Sequence, residues 1–302
     1  MRKNIFTISC YIFIIFHSNA QSIEWDGKIS VSGLFSSEDV NPFWMYANSD
    51  GQFGSASKFS GLGEVSGSYT LSDNASFEAG VALFYRDEVV DEFQRRDLYL
   101  QFKNRWLKAT LGAKRGETRV QGLSATNKNL LLSGNARPFG GLIIEANNPL
   151  KLSEIFNIDW GIAHYQLNDN RFVNDVRIHY KRLGLITQFN ENNQLTVQIQ
   201  HYAQWGGTSP IFGELPNDFK AFVDVFLAKR APEIGIEGEI QNAVGNHLGT
   251  YLIDYKFNTT IGDFSVYHEH PFEDGSGTGF ANFPDGVWGV YFKPEQNKFF
   301  TG

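Results

Sequence analysis

The chain has 302 residues, 42% hydrophobic and 15% aromatic, with 26 Lys and Arg against 33 Asp and Glu for a formal charge of −7. An acidic balance of this kind disfavours nucleic-acid binding, and one cysteine cannot form an internal disulfide or a cysteine metal cluster. Beyond residue 20 no run of eighteen apolar residues occurs, so no transmembrane helix is expected.

Residues 1–20 have their own pattern. Arg2 and Lys3 precede the apolar run Ile5 to Phe16, and Ser18-Asn19-Ala20 puts small residues at the −3 and −1 positions. This is a secretory signal, cut before Gln21. Cys10 leaves with it, so the mature chain has no thiol chemistry, and losing two cations and no acid takes the charge from −7 to −9.

From there, period-2 alternation bounded by turn-forming residues predicts strands at about 24–35, 61–72, 75–86, 95–103, 106–114, 140–148, 157–167, 175–189, 194–205, 247–258, 261–269 and 286–293. The links between them sort into two alternating sets. Short ones such as Ser72-Asp73-Asn74, Lys103-Asn104-Arg105 and Thr259-Thr260 follow the even-numbered strands, and 148–156 is somewhat longer. The longer ones, 36–60, 87–94, 115–139, 168–174, 206–246 and 270–285, follow the odd-numbered strands. Short turns at one end and long loops at the other are expected of an outer-membrane barrel with short periplasmic turns and long extracellular loops. A soluble sandwich gives no reason for such sorting.

The strands carry two faces. Phe77, Ala79, Val81, Leu83 and Tyr85 alternate with Glu78, Gly80, Ala82 and Arg86, and Leu98, Leu100 and Phe102 with Asp97, Gln101 and Lys103. In "QLTVQIQHYAQW" Gln194, Thr196, Gln198 and Gln200 alternate with Leu195, Val197 and Ile199. Such strands suit a wet lumen on one side and lipid on the other. In the eighth strand Val176, Ile178 and Tyr180 alternate with Arg177, His179 and Lys181, but Leu183, Leu185 and Phe189 then hold the opposite register. A bulge near Gly184 is the expected cause. In the longest loop Phe219, Phe222, Val223, Phe226 and Leu227 recur at helical spacing after Pro216-Asn217, with Lys229 and Arg230 at the far end. That is a capped amphipathic helix, expected over the barrel mouth. The fold expected is thus all-β: an antiparallel transmembrane outer-membrane β-barrel in one domain over 21–302, with about twelve strands and one short loop helix.

The segments NPFWMYANSDGQFG (41–54), NLLLSGNARP (129–138), HYAQWGG (201–207) and HEHPFEDGSG (268–277) give the chain a resemblance to the capsule-assembly Wzi family of outer-membrane barrels. The resemblance implies a surface lectin on an eighteen-stranded barrel, attaching capsular or other exported polysaccharide to the outer membrane without catalysis or cofactor. Two departures stand out. The N-terminal helical segment of enteric members has no counterpart, and the sequence stops at Lys298-Phe299-Phe300-Thr301-Gly302, so the barrel domain is expected to be incomplete at the C-terminus by about five or six strands, given an even strand number.

Polysaccharide binding needs amide and hydroxyl groups, aromatic faces and, for acidic sugars, basic groups. The candidates placed near the loop ends are Trp44, Arg115, Arg119, Lys128, Arg137, Arg177, His201, Trp205, His268 and His270. Between Arg115 and Arg137 four cations accompany one acid, Glu117, so an acidic polymer is the expected partner, alongside outer-membrane lipid, for a monomeric protein. The competing role for these residues is structural, with arginines paired to lumen carboxylates and tryptophans in the aromatic girdle. A passive porin is the main alternative function and an outer-membrane hydrolase a minor one. His201, Ser209 and Asp218 lack nucleophile-elbow spacing, and His268 with His270 lacks a third metal ligand.

Overall fold

The structure, a computed structural model, describes residues 23–229, 244–273 and 275–295. The signal segment 1–20, Arg230 and the stub 298–302 lie outside the described residues. Twelve long strands follow one another: β1 (Ile23–Gly33), β2 (Phe59–Ser72), β3 (Ala75–Arg86), β4 (Phe93–Asn104), β5 (Leu107–Ala113), β6 (Gly140–Ala146), β7 (Phe156–Gln166), β8 (Arg177–Asn190), β9 (Asn193–Trp205), β10 (Asn246–Thr259), β11 (Gly262–Phe272) and β12 (Val287–Pro294). Each lies within three residues of its predicted bounds. The helices are α1 (Phe43–Tyr46), α2 (Phe219–Phe226) and α3 (Gly275–Thr278).

Neighbours in sequence are neighbours in space, and all pair antiparallel. The short strand Leu150–Lys151, paired to β7, brings the sheet to thirteen strands, and Thr208–Ser209 forms a separate ribbon with Gly213–Glu214. Among the described residues β1 pairs only with β2 and β12 only with β11, so the sheet is an open meander. At one edge the links are tight turns, except the nine-residue β6–β7 link that carries Leu150–Lys151, and at the other edge every link is a loop.

Strand pleating gives this sheet an inner and an outer face. The inner face is polar over much of its length, with apolar clusters towards the loop edge. Lys114 pairs with Glu78 at 2.8 Å, and Arg182 joins Glu145 at 2.6 Å and Asp159 at 2.8 Å. The outer face shows an apolar band crossing all twelve strands, with Ile29 87%, Leu98 58% and Val290 76% exposed. Aromatic rings edge this band on the short-turn side. Phe257, Phe264 and Phe292 stack across three strands with centroids 5.0 and 4.6 Å apart, the cross-strand pairing that stabilises a sheet.

Each face carries a cover. On the inner face the β5–β6 link, residues 114–139, lies across β7 to β11. Its Leu131 and Leu132, with Phe139 and Ile143, pack on Ala163, Tyr165, Tyr180 and Tyr202, the last two stacked 4.5 Å apart. On the outer face α2 packs Ala221 and Val225 against Ala203 and Trp205 of β9. Asp218 caps this helix, its carboxylate accepting from Ala221 N at 2.7 Å, which satisfies one of the free first-turn donors.

Two expectations are corrected here. Helix α2 forms where expected, but it lies on the outer face of β8 and β9 rather than over the mouth. Lys181 donates to the Phe226 carbonyl, and the His179 ring lies 5.5 Å from that of Phe222. There is also no bulge at Gly184, because the pairing of β8 with β7 and β9 runs through it unshifted. Arg177, His179, Lys181, Leu183 and Leu185 all share the outer face. The apparent slip in phase is a change of surroundings along one strand. Near the loop edge the outer face lies under α2 and the inner face under residues 131–139, so polar and apolar residues exchange sides while the backbone continues. A register shift does occur between Ala82 and Leu83, where β3 faces Asp97 and then Arg95, skipping Arg96.

Candidate functional site

The loop edge brings together segments that are far apart in sequence. In the β1–β2 link Asn48 and Asp50 adopt positive φ of 54° and 52°, and Gly51 of 77°, conformations that Asn, Asp and Gly tolerate best. The turn aims this loop at the β5–β6 link. Asp50 N donates to Gly134 O at 2.7 Å and Asn48 N to Asn135 Oδ1 at 2.9 Å. The β5–β6 link in turn reaches β9, where Asn129 Nδ2 donates to Tyr202 Oη at 3.1 Å, and β11, where Thr126 donates to Glu269. Segments 41–54, 129–138, 201–207 and 268–277 therefore meet around one inward-folded link.

The lock on that link is Lys128. It is 3% exposed, and its Nζ donates to Asp254 Oδ2 at 2.6 Å and Ser265 Oγ at 2.7 Å, 4.7 Å from the centre of the Tyr267 ring. Asn127 and Lys128 both have positive φ, 54° and 58°, the kink that turns this side chain towards the sheet. Lys128 is accordingly withdrawn as a ligand-facing cation. Glu117, the one acid of the segment, is also engaged, since Lys108 Nζ lies 2.9 Å away and holds its carboxyl below the usual range.

The arginines gather where the two loops touch. Arg86 Nη1 donates to Gly51 O at 2.7 Å, Arg137 Nη1 to Arg95 O at 3.4 Å, and Arg115 N to Asp97 Oδ1 at 2.7 Å. Buried Arg96 pairs with Asp97 at 2.8 Å and with Glu64. Burial holds the Asp50 carboxyl above the ordinary range, against the opposing pull of Arg115 and Arg96. Arg115 and Arg119 are exposed, and Arg137 is half-buried. Trp44 is 78% exposed on α1. A recess of about 540 Å³ at the β10–β11 side is lined by Leu131, Leu248 and Phe272 together with polar Glu273, Ser276 and Asn282.

The other candidates lie elsewhere and are corrected as outward binding groups. His201 and Trp205 are 8% and 5% exposed on the outer face, with Trp205 packed under α2 and His201 Nε2 2.9 Å from His247 Nδ1. Arg177 lies over the Trp205 ring at 5.2 Å and donates to Asn217 O at 2.9 Å. His268 and His270 are 5% and 1% exposed, and His268 stacks 4.0 Å from Trp288 while His270 stacks 4.9 Å from Phe280. Among the described residues no group of three or more His, Cys, Asp or Glu is placed to hold a metal ion. Sequence reading passed over Asn48, Asp50 and Asn129. The Asn-Ser-Asp-Gly run at 48–51 marked a turn, but nothing in it named the partner loop.

No family model matches the chain, and no curated protein matches it. Among solved structures it is similar to OmpF of Salmonella typhi in complex with daunomycin, at 8% identity over 88% of this chain and 82% of that one, with a TM-score of 0.36. It is also similar to the in-vitro folded trimer form of OmpT, an outer membrane protein of Vibrio cholerae, at 8% identity over 92% and 96% of the two chains, with a TM-score of 0.25. Scores this low define no shared fold, so the architecture stands on the strand pairing itself.

Proposed function

We propose that the protein sits in an outer membrane as a barrel-type sheet and holds an anionic exported polysaccharide at the cell surface, the role implied by its resemblance to the capsule-assembly family. Membrane placement is supported by the exposed apolar band. Soluble monomers rarely expose contiguous apolar patches beyond a few hundred Å², whereas a lipid-facing band backed by a polar inner face is the transmembrane pattern.

The observation that carries the binding role is the inward-folded link. Residues 124–132 cover the inner face from β9 to β11 and are fixed there by the buried Lys128–Asp254 pair. An inner face covered in this way argues against a passive channel. The same fold leaves Arg115 and Arg119 exposed and Arg137 half-buried, with Glu117 already paired to Lys108. Exposed charges are screened over about 8–10 Å at physiological salt, so each contact with a polymer is weak and repetition along the chain supplies the strength.

The test is retention of acidic polysaccharide by cells expressing the protein. Retention should fall as salt rises, and replacing Arg115, Arg119 and Arg137 together by Gln should release polymer into the medium. If these arginines serve only to hold the loops together, the triple variant will lose heat stability while the protein that assembles retains polymer as before. A large steady conductance in planar bilayers would favour the channel instead.

A further inference from the structure

Beneath α2 the outer face holds a feature that polysaccharide binding does not use. A groove of about 410 Å³ runs between the helix and the sheet, walled by Leu142, Ile144 and Ile162 on one side and by Phe219 and Phe222 on the other. Its volume falls within the range of about 300–1,000 Å³ typical of small-ligand sites. Leu142 belongs at once to the groove and to the exposed band, so the groove opens directly onto that band.

The floor of the groove is not hydrocarbon. His179 is 1% exposed and Trp205 5%, both line the groove, and His179 Nε2, Trp205 Nε1 and the neighbouring His164 Nδ1 have no hydrogen-bond partner among the described residues. Buried polar atoms are nearly always satisfied, and three in one apolar groove point to a ligand with an apolar body and a polar end. Their height fits that shape. His164 is two residues from the loop end of β7, His179 two from that of β8, and Trp205 closes β9, so the polar atoms lie about 7 Å or less from the edge at ~3.4 Å per residue. Ile162 and Ile144 lie further down. At the rim Arg177 lies over the Trp205 ring and donates to the Asn217 carbonyl, and both of those residues line the groove. The rim carboxylate, Asp218, is turned to Ala221 N–H.

We propose that the groove holds one acyl chain of a membrane lipid, with the lipid's phosphate beside Arg177 and its ester oxygens within reach of the floor donors. The proposal rests on the outer-membrane placement, since only then does the groove open into lipid. Continuity with the apolar band and the cation at headgroup height favour a lipid over a protein segment, which would bring backbone donors and acceptors of its own into an apolar slot.

The test uses the full chain in non-ionic detergent, with phosphatidylglycerol as the probe and native mass spectrometry as the readout. One tightly retained lipid is expected. Ile162→Trp, which fills the groove, should abolish that retention, and Leu185→Trp, elsewhere on the band, should leave it unchanged. Arg177→Gln should weaken retention of phosphatidylglycerol severalfold and leave that of zwitterionic phosphatidylcholine unaltered. Retention by Ile162→Trp equal to the wild type would overturn the proposal, as would loss of a dimer rather than of a lipid. Flotation of the same proteins with phosphatidylglycerol vesicles separates the two ideas. Protein that floats but retains no lipid refutes the groove alone, and protein that does not float refutes the membrane placement.

Discussion

Lys128 is held between Asp254, Ser265 and the Tyr267 ring, with both charges of the ion pair almost wholly removed from water. Losing one member of such a pair leaves the other buried and uncompensated, at a cost of about 3–5 kcal/mol. Lys128→Met should therefore lower the heat stability of the folded protein by that order, read as the temperature at which it ceases to migrate as a folded species on gels. Adding Asp254→Leu should recover much of the loss, because the orphaned carboxylate goes too. If Lys128→Met alone were neutral, the link would not be locked as described. The sequence displayed Lys128 as one of four cations around a single acid. Its real partner lies 126 residues away, and the Asn127–Lys128 kink that aims it there has no strong residue signature.

Strand β9 shows how one element reads its surroundings. Gln198 and Gln200 are buried on the inner face, with Gln198 Nε2 3.0 Å from Asp159 Oδ2 and Gln200 Nε2 3.2 Å from Lys128 O. Val197 and Ile199 are 44% and 38% exposed on the other face. An arginine facing the bilayer midplane costs about 2–4 kcal/mol, so Val197→Arg should sharply reduce the folded protein recovered from outer membranes. Thr196→Arg, directed to the inner face opposite Asp254, should assemble nearly as the wild type does. Equal recovery of the two would defeat the assignment of faces. Strand β8 teaches the complementary lesson: alternation reports the environment of each face, and two covers on opposite faces can mimic a slipped register.

At the scale of the whole molecule, the sorting of links sets the orientation. A protease site inserted at Pro210-Ile211, in the β9–β10 loop, should be cut on intact cells, and one at Asn192, in the β8–β9 turn, should be protected until the outer membrane is opened. The opposite result would invert the protein in the membrane. Deleting residues 124–132 should raise bilayer conductance if the inward link is what fills the interior. Much of this architecture was already present in the sequence. The period-2 pattern, the turn residues and the alternating link lengths defined all twelve strands, their order and their two faces, because pleating and turn chemistry are local. Phe219 to Phe226 likewise announced a capped helix through spacing alone. Where that helix lies, which way residues 114–139 fold, and which of the candidate arginines and histidines stay exposed were decided by tertiary structure. Those outcomes depend on contacts such as Lys128 with Asp254, Asn129 with Tyr202 and Ala221 with Trp205, and no local pattern encodes a partner that only the curvature and covering of the sheet bring within reach.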